Sequence, residues 1–62
     1  MTDTLPEDRR RDVFAAIVAA QDGGLKVAAS HKHVAAEYGI TPAQVLVIEK
    51  EGLDAQWPPL DS

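Results

Sequence analysis

The tract Gly39-Ile40-Thr41-Pro42-Ala43-Gln44 places a helix stop and a helix start within a few residues of each other. Glycine adopts the left-handed conformation that closes a helix at little steric cost, so Gly39 ends the helical pattern before it. Thr41 and Gln44 stand at capping-box spacing, and Pro42 occupies the first helical position, where its missing N–H does no harm. A new helix therefore starts at once. Two helices joined by so short a turn have to fold back on one another.

The rest of the chain divides by the same signals. Thr4 and Glu7 repeat the capping-box spacing around Pro6, which predicts a first helix starting near Leu5. Val13, Phe14, Ile17 and Val18 recur on one side of it, while Asp12, Ala15, Ala19 and Asp22 point away. Gly23 and Gly24 stop that helix. In LKVAASHKHVAAEYG a second helix runs to Tyr38, either from Ser30 as its N-cap or, if VAAS is included, from Val27. The third runs from Pro42 to about Ala55 and cannot pass Pro58 and Pro59. With no repeat and no alternating strand pattern, the expectation is an all-α, small three-helix bundle containing a helix-turn-helix. Its helices span about 5–22, 27–38 and 42–55, followed by a short proline-containing tail, 56–62.

At 62 residues this is a single small domain, in the range where one core barely offsets the entropy of ordering the chain. Having no cysteine, it can add neither disulfides nor thiolate-bound zinc, which suits a reducing cytoplasm. MTDTLPEDRRR has no apolar run after its basic cluster, and no stretch is apolar for long enough to cross a membrane, so neither leader nor membrane partner is expected. Ten acidic against six basic side chains give a net charge of −4, unusual for a protein that binds nucleic acid unaided. The imbalance is concentrated at the end of the chain: residues 41–62 carry four acids and one lysine.

Taking His31 as the first position of a helix-turn-helix frame, Ala35 is small where the helices approach and Gly39 falls in the turn. Val34, Tyr38, Ile40, Val45 and Ile48 then occupy the inward positions. The run VAAEYGITPAQVLVIEKEGL also resembles the region-four domain of bacterial sigma-70-type factors. That pattern reads F-G-[VIL]-T and then x-x-x-[VI]-R-x-I-E-x-x-A-L. The residues that carry the resemblance are Tyr38-Gly39-Ile40-Thr41, Val45, Ile48-Glu49 and Leu53, over about a third of the chain. It implies binding of promoter DNA through the third helix and a contact with RNA polymerase. Where that family places arginines on the outward face, this chain has Pro42, Gln44 and Leu46, and Asp54, Ala55 and Gln56 follow Leu53.

The expected function is that of a small bacterial, transcription-associated DNA-binding protein acting as a dimer or with a partner that supplies positive charge. The residues expected to face the duplex are Ser30, His31, Lys32, His33, Thr41, Ala43, Gln44, Val47 and Lys50. Of these, Gln44 suits a base edge, and Lys32 and Lys50 suit phosphates. The alternative is a protein-interaction or dimerisation module that uses Leu46, Val47, Leu53 and Trp57 without reading DNA. Leu46, Leu53 and Trp57 form a second apolar stripe on the third helix, which either completes the core against Phe14 and Ile17 or meets a partner.

Other features have plainer readings. Arg9, Arg10 and Arg11 form either a backbone-contacting patch or a solvated face paired with Glu7, Asp8 and Asp12. His31 and His33 face different sides of a helix and lack a third ligand, so no metal is expected. Trp57-Pro58-Pro59-Leu60 reads as a lid across the third helix, or as an extended ligand for another domain. No catalytic constellation or phosphate cradle is present, so neither enzyme activity nor a cofactor is expected.

Overall fold

The computed structural model describes residues 5–57 and consists of α1 (Glu7–Asp22), α2 (Val27–Tyr38) and α3 (Pro42–Ala55), each packed against the other two. No strand occurs among the described residues, and none of their helices is long and apolar enough to cross a membrane. The expected all-α three-helix bundle is what the chain forms.

The start of α1 differs from expectation, and α2 takes the earlier of its two expected starts. α1 begins at Glu7 rather than near Leu5, with Pro6 extended at the cap (φ −58°, ψ 156°). A residue preceding proline is driven out of the helical region by the pyrrolidine ring, which keeps Leu5 outside. Thr4 of the expected capping box lies outside the described residues. α2 begins at Val27, so Ser30 is not its N-cap. The Ser30 amide donates to Lys26 O at 2.8 Å, and its hydroxyl donates to Val27 O at 2.7 Å, as an interior helical serine does.

All three helices close the same way, with a left-handed residue followed by an amide that returns to a carbonyl of the last turn. The closing bonds are Leu25 N–H to Ala20 O (3.1 Å), Ile40 N–H to Ala35 O (3.0 Å) and Trp57 N–H to Gly52 O (3.0 Å). The left-handed position is glycine in two of them, Gly24 and Gly39, but in α3 it is Gln56 at φ 56°. A side chain there costs about 1 kcal/mol. Gln56→Gly is therefore expected to raise the melting temperature by roughly 4 °C, less whatever the freer unfolded chain gives back, in a calorimetric or circular-dichroism melt.

The core contains Val13, Phe14 and Ile17 from α1, Val34 and Ala35 from α2, Val45 and Ile48 from α3, and Trp57 beyond α3. Leu5, Ala16, Val18, Tyr38 and Ile40 pack around it, only partly buried. Phe14 and Trp57 meet edge to face, with centroids 6.0 Å apart at 82°, and the Arg11 guanidinium lies 5.3 Å from the centre of the Trp57 ring. Gly52 lets α3 approach the Phe14 ring directly: a Cβ there would sit 2.6 Å from Phe14 Cγ. Pro58, Pro59 and Leu60 lie outside the described residues, as does the tail reading that involves them.

Candidate nucleic-acid interface

The turn that presents α3 is built from its own residues. Gly39 takes the left-handed conformation (φ 69°, ψ 32°) and Ile40 closes onto Ala35 O. Thr41 Oγ1 then accepts from the Gln44 amide N–H at 3.1 Å, while Gln44 Oε1 accepts from the Thr41 amide N–H at 3.0 Å. This completes the capping box. The Thr41 hydroxyl also lies 3.3 Å from the same Gln44 oxygen. The orientation of the Gln44 amide follows from the chemistry: a flipped side chain would set its NH₂ against the Thr41 N–H, donor against donor. Gln44 thus has its acceptor committed to the cap and its NH₂ group free.

Beyond the turn, Val45, Ile48 and Gly52 face inward, and Ala43, Leu46, Val47, Lys50, Leu53 and Asp54 are exposed. Val47 is the most open of the large apolar residues among those described, at 65% exposure. Beside it runs a groove of about 470 Å³ between Leu5, just before α1, and Arg10 in its first turn on one side and the Ala43, Gln44, Val47 and Glu51 side of α3 on the other. Arg10 holds the far wall by a two-pronged bond to Glu51, Nε to Oε1 at 2.9 Å and Nη2 to Oε2 at 3.1 Å.

The expected DNA-facing residues do not all reach the surface. Ser30 is 0% exposed, and its hydroxyl accepts from Gln21 Nε2 at 3.0 Å, so its placement on the duplex face is corrected. Setting the start of α2 at Val27 rotates Ser30 onto the inner face, one turn before Val34. His31 is drawn into the same network: its Nε2 lies 2.9 Å from Glu49 Oε1, and Glu49 Oε2 accepts from Gln21 Nε2 at 3.2 Å. Gln21, Ser30, His31 and Glu49 thereby tie the three helices together. The exposed remainder is Lys32, His33, Thr41, Ala43, Val47 and Lys50, with Gln44 half-buried. His33 lies 3.8 Å from Glu37, a contact too long and open to hold it.

Trp57, grouped with the partner surface in one sequence reading, is 5% exposed and belongs to the core. Its former companions Leu46 and Leu53 stay open at 40% and 53%. The stripe was expected to act as a unit and is split, because the backbone reverses into the left-handed region at Gln56 and carries Trp57 off the helical register. Of the three arginines, Arg11 pairs with Glu7 at 2.8 Å as its spacing suggests, and Arg10 reaches across to α3 instead. Burial, with help from the Glu37 and Asp12 carboxylates, pushes the Tyr38 phenol above its ordinary range. It stays protonated, 3.4 Å from Asp12 O. Among the described residues no group of three or more His, Cys, Asp or Glu is placed to hold a metal.

The Gln21–Glu49–His31 network and the Arg10–Glu51 clamp were not legible from spacing, since each joins residues far apart in the chain. The single hint was Glu49, part of the Ile48-Glu49 pair in the sigma-like pattern. No protein-family model matches the chain, and no curated protein or solved structure matches it.

Proposed function

We propose that this chain is a small bacterial transcription-associated protein of the cytoplasm that binds duplex DNA with its helix-turn-helix. The turn at residues 39–41 carries the reading: it closes α2, caps α3 and leaves the outward side of α3 free of the bundle, the arrangement by which such motifs enter a major groove. Ala43, Gln44 and Val47 face the bases in this reading, Lys32, Lys50 and His33 lie toward phosphates, and Thr41 sits at the entry of the helix. Ser30 and His31 serve the fold instead. Two lysines are few for a net charge of −4, so a second copy or a basic partner contributes the remaining attraction.

Fluorescence anisotropy of a labelled mixed-sequence duplex at low salt tests this. Micromolar binding is expected, falling with salt at a logarithmic slope of about −2 for two phosphate contacts per copy. No binding at high micromolar protein in low salt would sink the proposal. Val47→Arg adds a cation to the open face and is expected to tighten binding roughly threefold or more under the same conditions.

A second reading is favoured by the open apolar residues Leu46, Val47 and Leu53: a docking or dimerisation module with no DNA contact. Light scattering separates the two. Self-association that Val47→Arg abolishes, with no duplex binding, supports the second, and a strict monomer that binds DNA removes its basis.

A further inference from the structure

We infer that the outward face of α3 reads thymine, through its C5-methyl group, rather than recognising guanine through arginine. The inference rests on the DNA-binding reading above and assigns the base-contacting chemistry of that face. Ala43 and Val47 are exposed and one turn apart, so both project from the same side of α3. Neither side chain can donate or accept a hydrogen bond. Pressed onto guanine, cytosine or adenine edges, they would strip water from polar groups and return nothing. The apolar group that a base pair displays in the major groove is the thymine methyl, and contact with it is the one favourable use of such side chains there.

Gln44 adds an independent restriction. A glutamine that selects adenine does so with both ends of its amide, accepting from N6 and donating to N7. Here Oε1 accepts from the Thr41 amide at 3.0 Å and from the Thr41 hydroxyl at 3.3 Å, which takes both of its lone pairs, and only the NH₂ group is free. Gln44 is thus a donor without an acceptor. It can meet thymine O4 or a purine N7, and it cannot complete the adenine pair without dismantling the cap of its own helix. Thymine offers O4 beside the methyl, so a single base answers both the apolar pair and the donor. Lys50 lies on the next turn of the same open side, where a phosphate contact would set the register.

The test compares an alternating dA·dT duplex with its counterpart carrying deoxyuridine for thymidine, by anisotropy at low salt. The wild-type protein is expected to bind the methylated duplex roughly fivefold tighter. Val47→Asn, a change at an open position, should bring that ratio to about one while the thermal melt stays within a few degrees of wild type. An alternating dG·dC duplex should likewise gain affinity when its cytosines carry a 5-methyl group, which stands at the same place in the groove. Equal binding of the thymine and uracil duplexes overturns this inference and leaves the DNA-binding reading standing. Binding to none of the duplexes overturns both.

Discussion

Trp57→Ala is expected to lower the unfolding free energy by about 3–5 kcal/mol, which would leave much of the protein unfolded at room temperature. Trp57 is 5% exposed, lies edge-on to Phe14 and is faced by the Arg11 guanidinium, so its removal opens a cavity and takes an aromatic pair and a cation–π contact with it. The domain has little reserve, because 62 residues bury too small a core to absorb such a loss. Urea titration followed by far-ultraviolet circular dichroism measures it. Trp57→Phe keeps most of the ring contact and should recover more than half of the loss. An alanine variant melting within a few degrees of wild type would show that Trp57 is dispensable to the core.

Gly52→Ala is expected to destabilise by about 2 kcal/mol, against the direction that helix propensity alone would give. In an exposed helix this substitution stabilises by about 1 kcal/mol, since glycine loses more backbone freedom. At position 52 the added methyl would overlap the Phe14 ring, with Cγ only 2.6 Å away, and Trp57 lies edge-on against that ring. Overpacking therefore outweighs propensity. A drop in melting temperature of roughly 10 °C is expected, and in a Gly52→Ala/Phe14→Leu double variant the two changes should cost less than their sum because the smaller side chain makes room. A Gly52→Ala protein more stable than wild type would mean that α1 and α3 do not approach as closely as this.

These two residues show where sequence reasoning stopped. The inward set Val13, Phe14, Ile17, Val34, Val45 and Ile48 was legible because helical periodicity is a local property, written into every turn. Gly52 lies on that inner face too, four residues after Ile48. That it is a contact point, and with which ring, depends on how α1 crosses α3. Likewise Leu46, Leu53 and Trp57 lie in one stripe on an ideal helix, yet the reversal at Gln56 buries only Trp57.

The candidate site divides in the same way. The turn at Gly39 and the Thr41–Gln44 box were readable in full, and so was the outward position of Ala43, Val47 and Lys50. The withdrawal of Ser30 and His31 was not. It depends on Gln21 and Glu49, which approach them from two other helices.

By itself, then, the sequence determined the helices, their stops, the start of α3 and the apolar character of the face that α3 turns outward, since capping, left-handed closure and periodicity all act within a turn or two. Only the tertiary structure decided which polar residues are consumed by the fold, because a side chain is free to meet a ligand only if no neighbour brought in by packing has already taken it.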